Sequence, residues 1–207
     1  MTRDELAKII LDRLKRLNMT IIEEALWRAT FLSRGLPYFT HLLGMHAART
    51  AVKNHHTRIV EDDLAGGITL ALNEVDQTLK ERYSSAVISK KPRETTLYEP
   101  VLLACSLAEN DDLGRFQQKQ IEGPLAAILP GKRYRATTYA FHMNEFCQEK
   151  RGRILENSGE EQTPRYRFSD PMMQPYVILR GLAENRIDHS IHEKFTPQRQ
   201  PRLSSEI

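Results

Sequence analysis

The sequence predicts a mainly α protein in two parts, with one β-hairpin late in the chain. Three observations carry that expectation. Apolar residues recur at helical spacing through most of residues 4–87, and again through 97–147. Between these blocks, ISKKPRETT at 88–96 is polar and basic and holds Pro92, as a linker does. After Gly152 the period shortens, and RILE and RYRF flank the polar SGEEQ as two strands flank a turn.

The elements follow in order. Leu6, Ile9, Ile10, Leu14 and Leu17 share one face of a first helix, with Asp4 and Glu5 at its positive amino end. Thr20 reads as the cap of a second helix, with Glu23 completing a capping box. That helix runs to Gly35, a residue that tolerates the positive φ just past a helix end. Pro37 suits the first turn of a third helix, where its missing N–H removes no bond. Leu42, Leu43, Met45, Ala48 and Val52 carry that helix to about residue 54. Ile59 to Asp63 opens a fourth, which reads as continuous through TLALNEVDQTLKERYSSA. Residues 1–87 therefore form a helical bundle with short loops.

The second part spans 97–187. LYEPVLLACSLA is a buried type of helix with Pro100 in its first turn. FQQKQIEGPLAAIL is a second helical stretch, interrupted at Gly123-Pro124. TTYAFHMNEFCQEK is a third, with Tyr139, Met143, Phe146 and Cys147 on one face. The aromatics Tyr139, Phe141 and Phe146 are all expected in the core. Asp170-Pro171 starts a last apolar stretch, MMQPYVIL, and residues 188–207 read as a loosely held tail.

Composition excludes several classes. At 40% hydrophobic and 28% charged, the 207 residues support a packed core. A net charge of +3 permits nucleic-acid contact without arguing for it. No signal peptide or membrane-length apolar run is present, so the expectation is a cytoplasmic protein with no membrane partner. Cys105 and Cys147 have neither metal nor redox spacing and read as buried thiols. His41, His46, His55 and His56 lack ligand spacing, so no metal is expected. Glu61, Asp62 and Asp63 read as acids matched to a helix amino end, and no catalytic constellation emerges.

Three helices followed by a hairpin is the order of a winged helix, in which the third helix reads the major groove and the hairpin forms the wing. Charge agrees with that order. From Lys132 to Arg167 eight bases stand against five acids. Arg133, Arg135, Thr137 and Thr138 open the third helix and are the candidates to approach the groove. Lys150, Arg151, Arg153, Arg165 and Arg167 are the candidates to hold the DNA backbone. Glu160 and Glu161 at the expected wing tip repel phosphate, which argues against a deeply inserted wing. A protein-docking role for the same module is the alternative.

GLPYFTHLLGMHAARTAV, followed by RIVEDDLAGGITLAL, resembles the lid domain of AAA+ ATPases. There a glycine-containing break opens the helix of the second sensor, and a V-x-x-x-L segment, here Val60 to Leu64, opens the last lid helix. A winged helix directly after the lid resembles the origin-recognition initiator branch and its bacterial relatives, to which RYRFSDPMMQPYVILRGL is also similar. The resemblance spans roughly residues 5–182 and implies that the chain is the carboxyl-terminal part of an ATPase. It implies ATP and Mg held by a nucleotide-binding domain ahead of the lid, assembly as a homo-oligomeric ring, and duplex DNA as partner. It places Arg34, Gly35, Pro37 and His41 facing the nucleotide. Leu36 stands where initiators commonly carry an arginine. Nothing here matches G-x-x-x-x-G-K-[ST], so the chain alone is expected to bind no cofactor and hydrolyse no ATP.

Overall fold

The computed structural model describes residues 1–88, 97–132, 134–159 and 164–195, which are mainly helical with two small sheets. Met1–Val75 and Asp76–Pro197 form separate compact units.

In the first unit, α1 (Arg3–Arg16) starts at a capping box. Thr2 Oγ1 accepts from the Glu5 amide, and Glu5 Oε2 accepts from the Thr2 amide. Leu6, Ala7, Ile10 and Leu14 are its buried stripe. α2 (Glu23–Leu32) and α3 (Pro37–Lys53) follow, and α3 carries most of the core through Phe39, Leu42, Leu43, Ala47 and Ala51. α4 (Glu61–Glu74) lies against α3 with Gly67 at the crossing. A Cβ there would come 2.8 Å from the Ala47 backbone nitrogen, so only glycine permits this approach. Buried Asp63 organises the start of α4: its carboxylate accepts from the Val60 amide at 2.9 Å and from Asn54 Nδ2 at 3.2 Å.

Two expectations change in this unit. Thr20 is not a helix cap. Thr20–Ile21 forms β1, paired in parallel with β2 (Arg58–Ile59), and the Thr20 amide donates to the Thr57 carbonyl. Helix α2 starts only at Glu23, behind Ile22, which offers no side-chain cap. The fourth helix is also not continuous. It ends at Glu74, and Asp76 caps a new helix, α5 (Gln77–Val87), by accepting from the Thr78 and Leu79 amides.

Helix α5 belongs to the second unit, so the division falls after Val75 rather than at residue 87. The reason is Arg82. It donates to the Gly152 and Arg153 carbonyls and to Ser169 Oγ, and pairs with Asp170 at 3.4 Å. Tyr83 adds an edge contact to Tyr176. Of the expected linker, residues 89–96 lie outside the described residues.

Helix α6 (Tyr98–Leu107) is the axis of the second unit, buried continuously from Val101 to Leu107. β3 (Phe116–Gln117) precedes a short 3-10 turn and α7 (Glu122–Ile128), where Gly123 and Pro124 sit in the first turn rather than interrupting the helix. α8 (Ala136–Phe146) is followed by β4 (Leu155–Ser158) and β5 (Arg165–Phe168). The sheet order is β3-β5-β4, antiparallel throughout, with Phe116 opposite Tyr166 and Leu155 opposite Phe168. α9 (Met173–Ala183) packs on α6. Where a loose tail was expected from residue 188, α10 (His189–Phe195) forms instead. Asp188 caps it through the Ile191 amide, and His192 is buried. Residues 196–207 lie outside the described residues. No described helix is long and apolar enough to cross a membrane.

Candidate functional site

The corner between α2 and α3 is built by two consecutive left-handed residues, Arg34 at φ 51° and Gly35 at φ 82°. Pro37 is the first residue of α3 and is exposed. The residue before it, Leu36, provides no side-chain cap, and no acid occupies the first turn. Pro37 has no N–H to offer, and what the amino end of α3 brings to an anion such as a nucleotide phosphate is the positive potential of the helix, with no acid in the first turn to offset it. His41, one turn further on, lines a groove between α1 and α3 that Arg34, Gly35 and Pro37 do not reach. Burial, with Arg13 adding to it, lowers the His41 imidazole below its ordinary value. The four residues implied by the lid resemblance thus divide between the helix end and the groove.

In the second unit the predicted bases fall into three groups. Arg151 is 6% exposed and faces inward. Its Nη1 donates to the carbonyls of Ala86 and Ile88, and its guanidinium carbon lies 3.6 Å above the Tyr98 ring. Arg151 is therefore a structural residue, and its expected role on a DNA backbone is corrected: the charge is buried and held by its own chain.

Four exposed bases are engaged by neighbouring acids. Lys150 Nζ lies 2.8 Å from Glu145, Arg153 Nη1 3.3 Å from Glu149, Arg165 Nη1 3.1 Å from Asp111 and Arg167 Nη2 2.7 Å from Glu156. Asp111 is held below the usual carboxylate range by the Arg115 amide first, with the Arg115 side chain contributing. Pairs this exposed are individually weak. Their common effect is that β4, β5 and their surroundings present nearly balanced charge.

Lys132 and Arg135, at the entrance to α8, are exposed and make no ion pair among the described residues. Arg133 lies outside the described residues, as do Glu160 and Glu161. Thr137 is exposed, and half-exposed Thr138 accepts at its carbonyl from His142 Nδ1 at 2.7 Å. The outer face of α8 continues through Phe141 and Asn144, whose Oδ1 accepts from the Tyr166 hydroxyl at 2.8 Å. Tyr139 and Phe146 are core residues as expected, but Phe141 is 56% exposed and is corrected to a surface residue.

His142 lies against Tyr98 and Phe141. Burial, with Arg151 adding to it, lowers its imidazole below the ordinary value, while the Thr138 bond opposes the shift. A lowered folded-state value favours the neutral ring. Its contribution to stability is complete above the unfolded value of about 6.5 and is lost as pH falls from there through the folded value. Thermal unfolding at pH 7.5 and 5.5 should therefore show a smaller acid-induced loss in His142→Gln than in the parent. An equal loss in both would exclude His142 as a source.

Among the described residues, no group of three or more His, Cys, Asp or Glu side chains is gathered to hold a metal. Compared with protein-family models, curated proteins and solved structures, the chain gives no match.

Proposed function

We propose that the chain is the lid and winged-helix region of an AAA+ ATPase resembling origin-recognition initiators, and that the winged helix binds duplex DNA. One observation supports this above the others. Over α6, β3, α7, α8, β4 and β5 the order is helix, strand, helix, helix, strand, strand, with β5 between β3 and β4. In a winged helix that order presents the third helix, here α8, to the major groove and the last two strands as the wing. The first unit is the lid, with the amino end of α3 turned to ATP and Mg held by a preceding nucleotide-binding domain. In an oligomeric ring, such a lid couples nucleotide state to the DNA-bound module. The chain itself carries no hydrolytic step.

The balanced charge of the hairpin moves the electrostatic weight to the α8 entrance. Lys132 and Arg135 make the principal phosphate contacts, with Thr137 and Asn144 toward the bases. Anisotropy of a labelled duplex at about 50 mM salt should show binding that weakens steeply as salt rises. Lys132→Glu with Arg135→Glu should lower affinity by at least about tenfold and flatten the salt slope by about two units. Arg165→Ala with Arg167→Ala should change affinity less, because both bases already face acids. No binding at that salt, or no response to the Lys132 and Arg135 changes, would overturn the DNA role. Exposed Phe141 and the paired hairpin bases favour protein docking as the second reading. Capture by the parent ATPase, lost in Phe141→Asp, would then be the result.

A further inference from the structure

Helices α1 and α3 enclose a groove of about 600 Å³ on the first unit. Its apolar lining includes Ile9, Ile10, Leu14, Leu17, Met45 and Val52. Leu17 is 61% exposed and Val52 59% exposed, so the groove ends in open apolar surface. Gly44 sets its floor: a Cβ there would meet Ile10 Cγ1 at 3.0 Å, and its absence brings the two helices together.

The shape fits a helix. From α3 the lining residues are His41, Gly44, Met45, Ala48, Arg49 and Val52, a stripe of three turns. At about 1.5 Å per residue the stripe is roughly 16 Å long. Its charge is one-sided. No carboxylate lines the groove, while Arg13, Arg16 and Arg49 edge it. Arg49 is held by Glu74 at 2.9 Å, but Arg13 and Arg16 have no ion-pair partner among the described residues.

We propose that this groove receives an amphipathic helix from another polypeptide, apolar along one face and acidic along its flank. The apolar face fills the space between α1 and α3, and the flanking carboxylates meet Arg13 and Arg16. The chain's own segments outside the described residues have the wrong chemistry. Residues 89–96 carry three bases against one acid and Pro92, and 196–207 carry two bases against one acid, with Pro197 and Pro201. This site is independent of the DNA reading, since it lies wholly in the first unit.

The test uses the full chain and two labelled helical peptides of roughly 16 residues with the same leucine face. One carries glutamates on its flanks and the other lysines. The glutamate peptide should bind saturably, and the lysine peptide at least about tenfold more weakly. Val52→Glu should lower binding of the glutamate peptide by about tenfold or more, and Arg13→Glu with Arg16→Glu should reverse the preference. All three positions are at the surface or rim, and unchanged Trp27 emission would report an intact unit. No saturable binding, or equal binding of both peptides, would overturn the proposal. Concentration-dependent dimerisation abolished by Val52→Glu would also overturn it, by assigning the groove to a second copy.

Discussion

Arg151→Ala is expected to destabilise the second unit by about 2–4 kcal/mol, since it removes two bonds from a charged donor and a buried cation–π contact. The guanidinium ties the turn after α8 to the end of α5, through the Ala86 and Ile88 carbonyls, and covers Tyr98 at the start of α6. Arg151→Lys should recover little, because an ammonium lacks the planar fork that serves carbonyls and ring together. Hydrogen exchange measured by peptide mass should show earlier deuteration of the α5 end and of α6, with α1 and α3 unchanged. Unchanged protection at 77–88 would mean that Arg151 does not hold α5.

Gly67→Ala is the second large effect. In most exposed helix interiors that exchange stabilises by up to about 1 kcal/mol. Here the new Cβ would meet backbone at 2.8, 3.0 and 3.1 Å, at Ala47 and His46, and backbone in the middle of α3 has nowhere to go. The overpacked crossing should lower stability by about 1–3 kcal/mol. The adjacent residue supplies the control. At Gly66 a Cβ meets only the Thr50 side chain, at 3.2 Å, so a few tenths of an ångström of give relieves it, with no backbone in the way. Gly66→Ala should be neutral or stabilising. Trp27 is the sole tryptophan and is buried in this unit, so its emission follows the transition directly. Midpoints that move in the same direction for both variants would refute the distinction.

How much of this was legible follows from how local each cause is. The α2–α3 corner is local: Gly35 and Pro37 mark a stop and a start, and the backbone obeys them. The long apolar periods of α1, α3 and α8 are equally readable. Phe141 could have been placed correctly from sequence. It lies two residues from both Tyr139 and Met143, about 200° around the helix from each, and so on the opposite face. Thr20 misled because its capping signal competes with a pairing partner near residue 58, which no local rule reveals. β3 was missed for the same reason, since two residues carry no alternation. Asp76 was a readable cap hidden by apolar spacing that continued past it. At the site, the bases were legible as charges but their partners were not. Glu156 against Arg167 is a cross-strand neighbour, and Asp111 against Arg165 comes from a loop far back in sequence.

The Arg82 anchorage bears on how this protein is divided for study. A fragment cut at residue 97, where the sequence reads as a domain start, would leave Gly152, Arg153 and Ser169 without their donor and Arg151 without its two acceptors. Tyr176 would lose the ring of Tyr83 as well. The smallest piece that retains these bonds begins at Asp76, where the second unit starts and Asp76 caps α5.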